Sequence, residues 1–431
     1  MATLSELIKE LNTLPLGNVY RKTINGKEYY YHQYFLDGKS YSEIISEEKR
    51  NELLPLIKRR KVVQSLIKEI KKNDRSLVLS KNANQLTGYV MCGNIMVAEF
   101  DKGNPIYIDE SLAPLVIVKT HSLEKFLSLR VIDMSRTNAR LLKKALNIDA
   151  DEEYKIPLYS YALSISDNYW FKPKHSKLKY QNIKVSSDIY SDTALKGDLT
   201  VFPHHSKLTP EITTTGSFEK GWKLIDNAWY LFKSGNDKQI FSELFCYRFA
   251  KLINIATAEY EYDGKYIRSK NFADKYNFEP IASIADDNDK YEHVFDIIYK
   301  LNKDFAKDYL KIIFFDSVVN NVDRHNENLG LLRDRKTGKI VSLAPNFDNN
   351  LALISSVDVL NHPKKDKFMD IFIKFIEGNE IAKSLFKELT FPIISTRDIN
   401  LIIKDIPIDV EHKEDLPNKI LARYNYLKEK F

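Results

Sequence analysis

Two stretches dense in Asp and Asn, joined by a segment that reads as a hairpin, constrain this chain more than any other feature. The first is Asn320–Asn321–Val322–Asp323–Arg324–His325–Asn326–Glu327–Asn328–Leu329–Gly330. The second, Ala344–Pro345–Asn346–Phe347–Asp348–Asn349–Asn350, offers another carboxylate behind an aromatic residue. Between them, Leu331–Val341 carries its turn residues in the middle, so it predicts a hairpin returning Asp348 towards Asp323. An aspartate followed five residues later by an asparagine is what a phosphoryl-transfer loop needs. Asp323 accepts the proton of an acceptor hydroxyl, and Asn328 turns its carboxamide oxygen to a magnesium ion. Asp348 suits a second metal contact, because Mg²⁺ takes hard oxygen ligands and few protein carboxylates. Taken singly, these residues are the ordinary material of turns and helix caps. Their combination with upstream features favours the chemistry.

Upstream, Tyr230–Leu231–Phe232–Lys233 is an apolar strand ending in a lysine that can reach from a sheet to nucleotide phosphates. Ten residues on, Glu243 lies in a predicted helix, Gln239–Ile253, on a face that can return to Lys233. A lysine held by a helix glutamate is the pairing that positions α- and β-phosphates. Before the strand, Thr213–Thr214–Thr215–Gly216–Ser217–Phe218–Glu219–Lys220–Gly221 supplies small residues and backbone N–H groups suited to covering phosphates. It lacks the G-x-G-x-x-G pattern, and no Walker A sequence occurs, which argues against a P-loop NTPase.

The rest of the chain bounds the architecture. With 431 residues, 43% hydrophobic and 29% charged, it is long enough for several domains and too apolar for disorder. Its net charge of +6 is a mild excess that selects no partner. The longest apolar runs, such as Leu112–Val118, are far shorter than the roughly 20 residues of a bilayer helix. No signal-peptide-like run follows Met1. Cys92 and Cys246 lie in unrelated segments and read as buried thiols of a reducing cytosol, so the expected location is cytoplasmic.

Three units are expected. Residues 1–75 predict a short helix, strands on either side of Asn25–Gly26, a third strand after Asp37–Gly38, and a helix over Glu47–Lys72 that Pro55 bends or restarts. Residues 85–280 predict short strands (89–91, 95–100, 105–108), two helices (122–129, 137–145) and a strand pair over 222–233. Within them, 173–215 reads as extended connections with little regular structure. Residues 281–431 predict a mostly helical unit. The first unit carries Arg21, Lys22, Lys27 and Tyr29–Tyr30–Tyr31 on its strands and Lys58–Arg59–Arg60–Lys61 on its helix. Basic and aromatic side chains on a small sheet can bind nucleic acid. The same residues describe a docking domain with wet lysines, the commoner origin of a charge run.

The spacing Thr213-x-x-Gly216-Ser217-Phe218-Glu219-Lys220, the strand end at Lys233, Asn321-x-Asp323-Arg324-His325-x-x-Asn328-x-Gly330-Leu331 and Leu343-Ala344-Pro345-x-x-Asp348 together resemble the HipA-like serine/threonine kinase family, and most of all its compact CtkA-like subgroup. The resemblance covers roughly residues 85–430. It implies an α+β, bilobal protein-kinase-like fold with a HipA-like N-terminal subdomain, ATP and Mg²⁺ as cofactors, and transfer to a protein Ser or Thr. By position it implies Asp323 as base, Asn328 and Asp348 as metal ligands, and Lys233 as the phosphate lysine. It also implies phosphate-loop contacts from Gly216, Ser217 and Lys220, and a hinge at Glu279–Pro280–Ile281–Ala282 that reads adenine through its backbone. Family members often autophosphorylate three residues before the loop glycine; Thr213 stands there, with Thr214, Thr215 and Ser217 as rival sites. A phosphate there adds about −1.5 to −2 charges beside those of ATP. The resemblance further implies a toxin role with a small antitoxin partner.

Other features have plainer readings. His325 is expected to hydrogen-bond the loop and fix Asp323, and Arg324 to pair either with a phosphorylated residue or with an acidic neighbour. Asp286–Asp289 lacks the Gly and distant Glu of a calcium loop. His204–His205 lacks partners at ligand spacing. Asp167–Trp170 reads as a turn followed by a core aromatic pair. Two other functions remain open: a nucleic-acid-binding regulator with a nucleotide-sensing kinase-like scaffold, and a kinase of small molecules. A degenerate scaffold would be expected to have lost one of Lys233, Asp323, Asn328 and Asp348; all four are present.

Overall fold

In the computed structural model, the Asn25–Gly26 pair takes positive φ at both residues (+49° and +76°), and the chain reverses with Ile24 opposite Lys27. The residues described are 4–36, 39–74, 86–146, 148, 150, 152–198, 208–353, 360 and 366–431. Asp37–Gly38, Arg75 and His204–His205 lie outside them.

Strands β1 (Asn18–Ile24), β2 (Lys27–Leu36) and β3 (Lys39–Ile45) form an antiparallel meander flanked by α1 (Leu4–Thr13) and α2 (Glu47–Asp74). Of the two outcomes expected at Pro55, a restart does not occur: α2 continues through it as one helix. Proline forfeits one backbone bond, and side-chain contacts along the helix offset that loss. Arg59 pairs with Glu10, Arg60 donates to the carbonyls of Leu11 and Leu14 (both 2.6 Å), and Lys61 reaches Asn18 Oδ1 at 2.7 Å. Most of the basic run on α2 is therefore a clamp on α1 and β1. Leu7, Val63 and Ile67 share a core with Met91 and Trp170, which fixes this unit to the next.

The second unit is the antiparallel sheet β6-β5-β4-β7, made of β4 (Gly88–Cys92), β5 (Ile95–Asp101), β6 (Asn104–Ile108) and β7 (Tyr169–Pro173). Tyr169 and Trp170 are buried on β7, after the turn at Asp167. Around it lie α3 (Leu115–Thr120), α4 (Leu123–Ser128) and α5 (Thr137–Ala145). The segment expected to lack regular structure holds α6 (Tyr180–Ile183) and α7 (Ser191–Lys196), and Tyr190, Ala194 and Ile212 enter a core. Helices of four and six residues are too short to print a period on the sequence.

The third unit is the sheet β10-β11-β9-β8 with one long helix. Its elements are β8 (Lys220–Ile225), β9 (Ala228–Lys233), α8 (Asp237–Leu252), β10 (Tyr260–Asp263) and β11 (Tyr266–Lys270). Asn236 caps α8 reciprocally with Gln239, and Phe241, Phe245 and Phe249 stack along its buried face.

The fourth unit contains β12 (Tyr276–Pro280), α9 (Ala282–Ala285), α10 (Tyr291–Leu301), α11 (Lys303–Val319), β13 (Gly330–Asp334) and β14 (Ile340–Leu343). It continues through α12 (Lys367–Gly378), α13 (Glu380–Lys387), α14 (Thr396–Lys404) and α15 (Leu416–Lys430). The division expected at residue 280 falls inside this unit, because β12 pairs with β13 and β13 with β14. Phe245 and Phe249 of α8 join Phe314, Phe315, Phe372 and Tyr424 in the main core. The fold is α+β, and the two Asp/Asn stretches face the β8–β11 sheet across a cleft.

Candidate active site

Antiparallel register places Lys220 of β8 directly opposite Lys233 of β9. Like charges in that position repel, and both side chains are about 95% buried. The compensating charge comes from Asp348 across the cleft and from Glu243 on α8: Lys233 Nζ is 2.8 Å from Asp348 Oδ1 and 3.7 Å from Glu243 Oε2. Burial pulls the Lys233 pKa down, but Asp348 and Glu243 more than offset it and hold the amine well above the ordinary lysine range. For Asp348, burial pushes upward and the charges of Lys233 and Lys220 win, holding the carboxyl well below its usual value. Glu243 stays raised, chiefly by burial, despite Lys233. Lys220 has no acceptor of its own among the described residues. Burial, together with the nearby Arg136 and Lys233 charges, draws it down to about 7.

The backbone of the second Asp/Asn stretch is fixed by two side chains of the third unit. Asp348 adopts φ +60°, a region Asp tolerates better than most residues. Its N–H donates to the Tyr260 hydroxyl (3.1 Å), and the next N–H, of Asn349, donates to Glu243 Oε1 (3.0 Å). Glu243 thus joins helix α8 to this loop as well as facing Lys233.

Arg324 organises the first stretch, and its partner is the acidic neighbour. Its guanidinium grips Asp316 of α11 at 2.8 and 3.0 Å. It also donates to the carbonyls of Asn328 (2.6 Å) and Phe347 (2.9 Å) and to the Asn349 side chain (3.0 Å). One side chain therefore sets the spacing of both stretches. The hairpin β13–β14 joins them. Asn328 Nδ2 donates to the Asp323 carbonyl at 3.0 Å, which leaves Oδ1 for another partner. Asp323 is half-buried, and burial raises its pKa above the ordinary carboxylate value against the opposing pull of His325. The His325 ring accepts the Glu327 N–H at 3.3 Å, so it braces the loop backbone.

A cleft of about 150 Å³ lies between these groups; Lys220, Lys233, Asn328 and Asp348 line it. Its apolar side is a cluster of Phe272, Phe278 and Phe347, with centroids 5.5–5.7 Å apart. Gly216 also lines the cleft with φ +89°, a backbone conformation that an L side chain adopts only with strain.

Two groups of expected residues fall elsewhere. Glu279 and Ile281 do not present a free hinge. The Glu279 carboxylate is buried against Arg333, the Tyr169 hydroxyl (3.0 Å) and the Leu115 N–H (2.6 Å). The N–H groups of Ile281 and Ala282 already donate to the carbonyls of Leu329 and Asn326. The segment that lines the cleft where the sheet ends is Ser269–Phe272. Of the expected phosphoacceptors, Thr213 and Thr214 are buried. Thr213 Oγ1 donates to the Leu163 carbonyl (2.6 Å), and Thr214 Oγ1 donates to the Pro210 carbonyl (2.8 Å) while accepting from Trp222 Nε1. Thr215 is half-buried and Ser217 is exposed.

Sequence reading missed three residues here. Arg136, next to α5, donates to the carbonyls of Thr214 (2.8 Å), Thr215 (2.6 Å) and Gly216, and so holds the 214–216 loop. Nothing in its local sequence marks it. Tyr260 is equally silent. A buried acid one helical turn before Asn320 was the only available hint for Asp316.

No family model matches the sequence, and no curated protein matches it. Solved structures do. HipA of Shewanella oneidensis MR-1, determined with HipB and its operator DNA, matches 79% of this chain and 97% of its own at 12% identity, with a TM-score of 0.51. The proinflammatory kinase CtkA of Helicobacter pylori matches 49% of this chain and 95% of its own at 16% identity, with a TM-score of 0.35. The Shewanella likeness is one of fold: this chain has a HipA-like, kinase-type architecture.

Proposed function

We propose that this chain is an ATP- and Mg²⁺-dependent protein serine/threonine kinase of HipA-like type. One observation carries the reading: Lys233, Glu243 and Asp348, supplied by a strand, a helix and a distant loop, meet in one buried charge cluster at the cleft. A cluster of this kind positions nucleotide phosphates in kinases.

The donor set suits the cofactors. Asp348 and the Oδ1 of Asn328 are hard oxygen ligands of the kind Mg²⁺ takes. Two facing lysines, one without an acceptor, suit a polyanion. Bound Mg·ATP supplies an electrophilic γ-phosphoryl group whose charge the metal neutralises. Lys233, steadied by Glu243, and Lys220 would hold phosphate oxygens; Gly216 and Ser217 would offer backbone N–H groups. Asp323 would orient the acceptor hydroxyl and take its proton, and its raised pKa brings it closer to that task. The Phe272–Phe278–Phe347 cluster would pack against the base, with the backbone of Lys270–Phe272 reading its edge.

The Shewanella protein was solved with HipB, and on that likeness a small antitoxin partner and a toxin role belong to the same proposal. The test is transfer of label from γ-labelled ATP to the chain itself and to protein acceptors with Mg²⁺ present. Loss of transfer in Asp323→Asn and Asp348→Asn, with the fold intact, is expected. Full activity in either variant would refute the assignment. Label appearing only on small hydroxyl compounds would shift the acceptor class.

A further inference from the structure

The β1–β3 sheet has two unlike faces. The register places Tyr20, Tyr31 and Ile44 in one row across it, with Lys22 opposite Tyr29 in the next and Ile24 opposite Lys27 beyond. Gln33 and Phe35 continue the same face along β2, since alternate residues share a side. Tyr20 and Tyr31 stack at 5.4 Å with an interplanar angle of 11°. Tyr20 is 40% exposed, Phe35 67% and Ile44 63%, so this face is open. The opposite face is used internally only in part: Tyr34 and Tyr41 stack on it at 5.4 Å, with Tyr41 41% exposed. His32 binds the Leu16 carbonyl (2.7 Å), and Arg50 of α2 lies over the Tyr30 ring.

Charge is sorted in the same way. The strand acids Glu28 and Glu43 lie exposed on the opposite face, paired with Arg21 (2.8 Å) and His32 (3.3 Å). The open face carries Lys22 and Lys27 and none of the described acids of these strands. Arg59, Arg60 and Lys61 of α2 are spent on α1 and β1, whereas Lys22 and Lys27 stand exposed beside Tyr20 and the half-buried Tyr29 and Tyr31.

We propose that this open face is a binding platform for single-stranded nucleic acid. Rings on a flat sheet stack with bases whatever their identity, and flanking lysines pair with the backbone phosphates. Rows on one face are about 6.6 Å apart, a spacing that lets Tyr31 and Tyr29 take successive unstacked bases. An acidic protein would find only two lysines here and no arginine fork to hold its carboxylates, so the rings favour bases. The platform is rigidly carried, because Leu7 and Val63 anchor its helices in the next unit. This inference does not depend on phosphoryl transfer.

The test uses the full chain and fluorescein-labelled oligothymidine, oligouridine and a matching duplex, each of about 12 nucleotides. Fluorescence anisotropy is read between about 50 and 200 mM salt. Single strands are expected to bind more tightly than duplex, and the two sugars separate a DNA from an RNA preference. Tyr31→Ala and Tyr29→Ala should each weaken binding by about 5- to 100-fold. Tyr31→Phe, which keeps the ring, should retain affinity and serves as the folding-neutral control. Lys22→Gln and Lys27→Gln should each lower the salt slope by about 0.7, while Glu43→Gln on the opposite face should leave it unchanged. Absence of saturable single-strand binding at low salt overturns the proposal. So does preference for duplex, or equal affinity in the wild type and in both tyrosine-to-alanine variants.

Discussion

Lys233 and Asp348 lie 115 residues apart in the chain, yet their Nζ and Oδ1 atoms sit 2.8 Å apart in a buried site. Glu243 stands on the other side of the same amine. Removing the amine leaves two buried carboxyls without their nearest counter-charge, so Lys233→Met should cost about 3 to 5 kcal/mol as well as activity. Adding Asp348→Asn to it should cost less than the sum of the two single changes, because the groups act on one another. Chemical denaturation of the four proteins of this cycle checks both statements. Additive losses would mean that the pair is not coupled.

Asp323 is a different kind of residue, half-buried and bonded only lightly to its surroundings. Asp323→Asn should lower the turnover of phosphoryl transfer by about 100- to 10,000-fold, leaving nucleotide affinity and thermal stability close to wild type. Steady-state kinetics and calorimetric titration with ATP separate the two quantities.

Lys220 makes the nucleotide site pH-dependent. Its pKa lies near 7 in the folded protein, against an ordinary lysine value in the unfolded chain. Phosphates favour the protonated amine, so ATP affinity should fall as pH rises through about 7, and binding near pH 8 should take up a proton. Calorimetry in buffers of different ionisation enthalpy measures that uptake; Lys220→Gln should abolish it. For stability the sign runs the other way. Between pH 7 and the unfolded lysine value the unfolded chain binds more protons than the native one, so the penalty of this buried cation is full below 7 and fades above it. Without nucleotide, Lys220→Gln should therefore stabilise most below pH 7.

Arg136 holds three carbonyls of the 214–216 loop through one planar fork. A lysine in its place keeps the charge but not that geometry. Arg136→Lys should raise the KM for ATP several-fold and expose the loop to proteolysis. An unchanged KM together with unchanged cleavage would show that the clamp is dispensable.

Self-modification should follow accessibility. Ser217 is exposed, whereas the Thr213 and Thr214 hydroxyls are committed to the Leu163 and Pro210 carbonyls. In a time course with Mg·ATP, mass spectrometry should find phosphate on Ser217 first. Phosphate on Thr213 should appear only as the loop becomes protease-sensitive.

Much of the fold was legible because its signals are local. Asn25–Gly26 dictates a reversal through backbone sterics, the apolar spacing of Leu4, Leu7, Ile8 and Leu11 dictates the first helix, and the turn residues before Lys339 dictate a hairpin. The short helices between residues 180 and 196 gave no such signal, since fewer than two turns cannot display a period. The expected hinge at Glu279–Ile281 went astray for a related reason. A strand followed by a proline looks the same whether its edge is free or already paired with β13.

Residue identity and spacing by themselves determined which groups are chemically competent: an aspartate five residues before an asparagine, a lysine closing an apolar strand, a glycine able to hold φ +89°. Only the tertiary structure decided which of them share a dielectric environment and a partner. Lys220 has its pKa drawn down to about 7 because packing buries it, with the charges of Arg136 and Lys233 beside it. Arg136 acquired a role because packing brought α5 beneath a loop some 80 residues away. Coulombic and hydrogen-bond energies depend on distance in space and on burial, and neither quantity is written in the order of the residues.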